Sequence, residues 1–178
     1  KNPFKQNKKP KLRRFMLFYA HQNYFEKSFS HIKMYHTLLD EDKTFPPTNL
    51  FISSEEDKST KDFLNSNNIG ENYIAIEPGA AWSQKQWSIE NYNKLMERLI
   101  DSFKSKIVIL GSTNDVICDQ IIKDDNIINL KDKTSLRMAM GIVKHALHTL
   151  GSDTGLLHIS EAMGTPVTMI LGPTSLET

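Results

Sequence analysis

The sequence predicts an α/β fold built on a parallel, Rossmann-like sheet, and three observations carry that prediction. From Asn72 onward, short apolar runs of strand length alternate with segments of helical period, giving roughly five strands and four helices. Glycine-bearing turns follow the runs Tyr73–Glu77, Lys106–Leu110 and Ala146–Leu150, where a strand hands over to a helix. The last helix stops at Gly164-Thr165-Pro166, with Gly at its C-terminal end and Pro just beyond.

Taken in order, the chain opens on KNPFKQNKKPKLRR, which carries seven Lys or Arg and no acidic residue. Such a run is either a solvated end or a basic surface for an anionic acceptor or membrane face. Residues 15–20 (FMLFYA) read as a buried strand, and 24–39 place apolar residues at helical spacing. His21, His31 and His36 are read as surface or packing residues. Residues 40–49 form a linker by composition, with acidic residues before Pro46-Pro47. Leu50–Ile52 is expected as a short strand. Residues 54–68 read as a polar helix with Ser53 or Ser54 as N-cap and acidic residues in the first turn.

The regular alternation then begins. Strand 73–77 leads through Pro78-Gly79-Ala80-Ala81 to a helix from Ile89 to about Phe103, capped by Ser88. Strand 106–110 leads through Gly111-Ser112-Thr113-Asn114 to a helix expected over 115–123. Strand 127–130 precedes a helix over 135–144. Strand 146–150 precedes helix 155–163, and 167–171 is the last strand. A domain boundary is placed at 68/69, giving an N-terminal part (1–68) and a regular α/β part (69–178).

The totals exclude several classes. The composition, 39% hydrophobic and 24% charged with a net charge of +1, is that of an ordinary globular chain. No apolar run approaches the roughly 20 residues of a membrane span, and no signal peptide is read at the N-terminus. Cys118 is alone, which leaves no disulfide framework and no thiolate metal site, and fits a reducing, cytoplasmic setting. Nucleic acid is not expected as a partner, because no aromatic interleaving accompanies the basic run.

The chemistry is expected at the strand-to-helix turns, which in a parallel sheet gather at the carboxyl ends of the strands. The turn Gly151-Ser152-Asp153-Thr154-Gly155 opens a helix whose free N–H groups suit an anion, and its glycines let a ligand approach the backbone. His158, four residues after Thr154, shares that helix face. Lys85, beside the start of the helix at 89, reads by itself as a solvated loop lysine, although a full charge beside a helix N-terminus also suits a pyrophosphate. Asp115 and Thr134 stand at the two intervening turns, where each also reads as an ordinary helix cap. Trp82 and Trp87 are read as packing residues. Asp-Thr-Gly is also the short signature of aspartic proteases, but it needs an all-β setting and a second facing carboxylate. No Gly-x-Gly-x-x-Gly turn and no P-loop lysine motif occur.

These turns carry a family resemblance. Ser152-Asp153-Thr154-Gly155-Leu156-Leu157-His158, continuing through Glu161-Ala162-Met163-Gly164-Thr165-Pro166 to Gly172-Pro173-Thr174, resembles the C-terminal half of glycosyltransferase family 9, the heptosyltransferases of the lipopolysaccharide inner core. Pro78-Gly79-Ala80 ending in Lys85 and Trp87 and the Lys133-Thr134-Ser135-Leu136 segment resemble the same family. The resemblance spans about 69–178. It implies a two-domain GT-B glycosyltransferase, of which residues 69–178 are the donor-binding half and 1–68 a remnant of the acceptor domain.

The resemblance also implies roles. Lys85 meets the donor diphosphate, Thr154 and Gly155 hold its phosphates, and Asp153 and His158 lie close to the sugar-diphosphate. Asp115 meets the ribose and Thr134 the base. At Ala80 and Ala81, where relatives often carry hydroxyls, only backbone N–H groups remain. The implied reaction is inverting transfer of heptose from ADP-heptose to the lipopolysaccharide core, with no metal and no cofactor. The implied place is the cytoplasm, with peripheral contact at the inner face of the inner membrane. The family's catalytic aspartate lies near a glycine-rich turn at the start of the N-terminal domain, and nothing in 1–68 resembles it. The chain is therefore expected to be a fragment, truncated at its C-terminus, that holds no catalytic residue and binds nucleotide without transferring sugar. Other GT-B enzymes that use UDP-sugars, and a non-catalytic nucleotide-sugar-binding module, are the competing readings.

Overall fold

The structure, a computed structural model, describes residues 48–172. The strand expected at 15–20, the helix at 24–39, the three N-terminal histidines and Pro173-Thr174 lie outside them.

Five parallel strands form one sheet: β1 (Tyr73–Glu77), β2 (Lys106–Ile109), β3 (Ile127–Asn129), β4 (His148–Ser152) and β5 (Val167–Ile170), in the order β3-β2-β1-β4-β5. Helices α1 (Ser54–Ser66), α2 (Ile89–Phe103), α3 (Leu136–His145) and α4 (Gly155–Ala162) flank it. The predicted parallel, Rossmann-like α/β sheet is what forms. The chain builds β1, β2 and β3 toward one edge, then crosses back and adds β4 and β5 on the other side of β1. The reversal falls between β1 and β4, which pair from Ile74↔His148 to Glu77↔Gly151.

The strands alternate faces with period two, and each face has its own core. Tyr73, Ala75, Val108 and Leu110 meet Leu64 and Ile69 together with Ile142 and Val143 of α3. Ile74, Ile76, Ile107 and Ile109 meet Tyr92 and Met96 of α2. Burial on both faces explains why β1 and β2 read as near-continuous apolar runs. Tyr73 and Tyr92 are fully buried, and each phenol has a partner: Tyr73 donates to the Ile142 carbonyl (2.6 Å), and Tyr92 pairs with Ser152 (3.1 Å). Burial raises both phenol pKa values.

The caps follow the sequence. Ser53 and Glu56 form a reciprocal capping box on α1, while Ser88 caps α2 and Ser135 caps α3. Helix α1, read as part of the N-terminal segment, packs on α3, so Leu64 shares a core with the sheet. Glu56 pairs with Arg137 (2.6 Å), and Asp57 accepts from Lys144 (2.7 Å) and meets His145 (2.9 Å). Arg137 holds the Glu56 carboxyl, and Lys144 with Lys61 the Asp57 carboxyl, well below the usual carboxylate range.

Three expectations need correction. No strand forms over 50–52; Leu50 and Phe51 are exposed, and the Leu50 N–H donates to the Ala162 carbonyl. In place of an α-helix over 115–123 there is a short 3₁₀ turn, Val116–Gln120. Asp115 does not cap it, because its carboxylate turns back to the Ser112 N–H (2.6 Å) and hydroxyl (2.7 Å). The β-branched run Val116, Ile117, Ile121, Ile122 disfavours a longer helix. Trp82 is 68% exposed and does not pack, whereas Trp87 packs edge-on against Tyr92 at 5.3 Å.

Candidate functional site at the sheet's switch point

A cleft of ≈ 850 Å³ opens at the carboxyl ends of the strands, where the order reverses. Four separate turns supply its walls. Glu77, Gly79, Ala80 and Ala81 come from the end of β1, Gly111, Ser112 and Asp115 follow β2, Thr134 and Ser135 precede α3, and Thr154 and Gly155 start α4. Crevices at such reversals are where open α/β sheets bind ligands, because diverging crossovers leave a gap there.

Of the nine residues singled out by sequence, Ala80, Ala81, Asp115, Thr134, Thr154 and Gly155 line this cleft. Lys85, Asp153 and His158 do not line it. They form a cluster beside it, in which the Asp153 carboxylate takes Lys85 Nζ at 2.6 Å and His158 Nε2 at 3.3 Å. Asp153 is therefore not a helix cap; Thr154 holds the N-cap position of α4. His158 is not a core histidine, since its side chain is 61% exposed. The 3₁₀ turn Ser83–Lys85 carries the lysine, and Gly172, just after β5, lies against its backbone. A Cβ at Gly172 would lie 2.7 Å from the Gln84 carbonyl oxygen.

The glycines at the cleft divide into two kinds. A Cβ on Gly79 would lie 2.1 Å from an Asp115 carboxylate oxygen, so that glycine is required by the chain's own packing. A Cβ on Gly155 would meet nothing within 4 Å, so space is open in front of the first residue of α4. At this end of α4 the backbone N–H groups have no helical acceptor, which makes the open space an anion-friendly one. The Thr154 side chain does not cap them. Its hydroxyl instead donates to Glu77 Oε2.

Glu77 is the residue that sequence reasoning missed. It is the last residue of β1, and its carboxyl sits where burial raises its pKa to about 7, against the lowering effect of the Thr154 hydroxyl and with help from the nearby Asp115 charge. Among the described residues no lysine, arginine or histidine pairs with it. The available signal was a charged residue ending an otherwise buried strand, immediately before Pro78-Gly79. Thr134 and Ser135 separate cleanly: Ser135 accepts from the Met138 N–H as the cap, leaving Thr134 on the cleft wall. Leu110, Leu136, Leu156 and Ile159 add apolar surface to the same cleft. The thiol of Cys118 is buried and pushed up to about 12, which makes it an unreactive packing group.

Fold and site together define a Rossmann-like domain with a ligand cleft at its topological switch point. The profile of glycosyltransferase family 9 (heptosyltransferase) matches residues 1–178, and the chain belongs to that family. It is 30% identical over 110 residues to lipooligosaccharide heptosyltransferase 2 of Haemophilus influenzae, covering 57% of this chain and 32% of that protein. The E. coli ADP-heptose lps heptosyltransferase II structure superposes with a TM-score of 0.68 at 25% identity, covering 79% of this chain and 44% of that one. A family 9 glycosyl transferase from Veillonella parvula shares the fold with a TM-score of 0.71 at 18% identity, over 86% and 47% of the two chains. The chain thus spans about a third of the curated relative's length and under half of the solved ones. Among the described residues no helix is long and apolar enough to cross a membrane.

Proposed function

We propose that residues 69–178 form the donor-binding half of a GT-B heptosyltransferase that takes ADP-heptose and transfers heptose to the lipopolysaccharide inner core. Residues 1–68 are then a remnant of the acceptor domain, with α1 sharing the donor half's core. The observation that carries this reading is the pairing of the open α4 N-terminus at Thr154–Gly155 with the Lys85–Asp153–His158 cluster beside it. An uncapped helix start takes phosphate through backbone N–H groups, and the adjacent Lys85, here paired with Asp153, supplies a full positive charge beside it. The resemblance to the E. coli ADP-heptose enzyme supports ADP-heptose as donor.

In this reading an acceptor hydroxyl attacks the anomeric carbon from the face opposite the diphosphate, and the configuration inverts. Nucleoside diphosphate leaves, and its developing charge meets Lys85, His158 and the α4 N–H groups, with no metal required. The carboxylates nearest the cleft are already engaged, Glu77 by Thr154, Asp115 by Ser112 and Asp153 by Lys85. The base that deprotonates the acceptor is therefore assigned outside the described residues; because nothing in the sequence of 1–68 resembles the family's catalytic aspartate segment, the 178 residues alone are expected to bind donor without turnover. A cytoplasmic place at the inner face of the inner membrane belongs to the same reading.

Calorimetric titration with ADP, UDP, CMP and GDP tests the donor. ADP is expected to bind best, and Lys85→Ala and His158→Ala should each weaken it about tenfold or more, the loss of one charge-assisted contact. A preference for UDP would move the reading to UDP-sugar enzymes of the same fold. Nucleotide binding untouched by both substitutions would overturn the site.

A further inference from the structure

We infer that Glu77 is a positioning residue of the donor site that holds the Thr154 hydroxyl and takes up a proton from solvent when a diphosphate enters the cleft. The inference rests on the donor-site reading above and assigns that site a proton linkage.

The geometry carries it. Glu77 lies at the carboxyl end of the central strand and lines the cleft together with Thr154, Gly155 and Asp115. Its Oε2 accepts the Thr154 hydroxyl proton, which turns that side chain away from the α4 N–H groups and leaves them to an incoming anion. Asp115 lies against the β1 turn, its carboxylate filling the space a Cβ at position 79 would take. Two carboxyls therefore face a space expected to receive a dianion or trianion, and no cation pairs with Glu77 among the described residues.

The ionisable groups that face Glu77 are Asp115 from the turn after β2, Cys118 from the 3₁₀ turn and Tyr92 from α2. None of them brings positive charge: Asp115 is acidic, and burial holds the thiol and the phenol in their neutral forms. Phosphate oxygens entering beside Thr154 add negative charge next to the carboxyl. Electrostatics then favours the neutral acid, and the proton is bound with the ligand. Only an O–H bond on Glu77 forms; the Thr154 contact persists, with the protonated carboxyl free to donate its own hydrogen toward a phosphate oxygen. The carboxyl already titrates close to neutrality before any ligand arrives, so the linkage falls in an accessible pH range.

The test is ADP titration of the 178-residue chain between pH 6 and pH 9, in pairs of buffers with different ionisation enthalpies, for the wild type and Glu77→Gln. ADP's terminal phosphate itself titrates with a pKa near 6, so the difference between the two proteins is the readout. Expected is proton uptake by the wild type that is smaller in Glu77→Gln by a substantial fraction of a proton near pH 8. The wild-type Kd should also rise more steeply with pH, by up to about tenfold per unit. A merely structural Glu77 would change affinity without changing proton uptake. Equal uptake by both proteins overturns the inference while leaving the donor site standing. Failure of ADP to bind at any pH overturns both. Should the glutamine variant not fold, carbon NMR of glutamate-labelled wild type decides. One carboxyl titrating near neutrality must move to higher pH on adding ADP, and a titration that ADP leaves in place overturns the proposal.

Discussion

Glu77 has a consequence for stability that needs no ligand. Its carboxyl titrates near 4.5 when unfolded and near 7 when folded, so between those values the folded chain binds more protons. Stability attributable to this group therefore falls as pH rises from about 4.5 to about 7, and the full cost applies above that, at most about 3 kcal/mol. Glutamine keeps the shape and the acceptor for Thr154 but carries no charge. Glu77→Gln is expected to raise the urea midpoint at pH 8 and to change it little at pH 5. Equal midpoint shifts at the two values would show that the carboxyl is not held in a desolvated place.

At the scale of elements, the α1–α3 contact decides where the compact unit begins. Gly141 lies within α3, where alanine would ordinarily improve a helix by about 1 kcal/mol. Here a Cβ would lie 2.1 Å from Thr60 Oγ1 and 2.9 Å from Thr60 Cβ. Thr60 is itself fixed by donating to the Glu56 carbonyl and is nearly fully buried. Overpacking costs about 1–3 kcal/mol, so Gly141→Ala is expected to destabilise by about 1–2 kcal/mol in urea unfolding, and adding Thr60→Ala should recover part of the loss. A midpoint unchanged or raised would mean α1 does not sit on α3.

The elements also show what the sequence could reveal. Caps and period are local, so Ser88 marked the start of α2 to the residue, and the starts of α1 and α3 were marked to within one residue. The 3₁₀ turn at 116–120 was not legible, because Asp115 looks like a cap until its carboxylate is seen bonded backward to Ser112. Glu77 was hidden for another reason. Its partner Thr154 is 77 positions away, and only the pairing of β1 with β4 brings them together. The cleft was legible by family pattern and by the rule for parallel sheets, whereas the Lys85–Asp153–His158 grouping required the folded backbone.

At the scale of the whole molecule, the cleft exists only because four turns converge at one edge of a sheet whose order reverses between β1 and β4. No single turn encloses a ligand. A diphosphate nucleotide held there should therefore link all four: phosphates at Thr154–Gly155 and the β1 turn, ribose near Asp115, base against the apolar side chains near Thr134. Hydrogen exchange with saturating ADP reads this directly. Protection is expected together at 79–81, 112–115, 134–136 and 154–156, while the opposite edge, at 104–106 and 146–148, exchanges as before. Binding only to the folded state also adds global stability, about 2.7 kcal/mol at one hundred times Kd, so a uniform slowing of the most protected core amides is expected in the background. Protection confined to one turn would mean that the nucleotide rests on a surface loop. The convergence of strands, which is what the parallel fold supplies, would then have no part in binding.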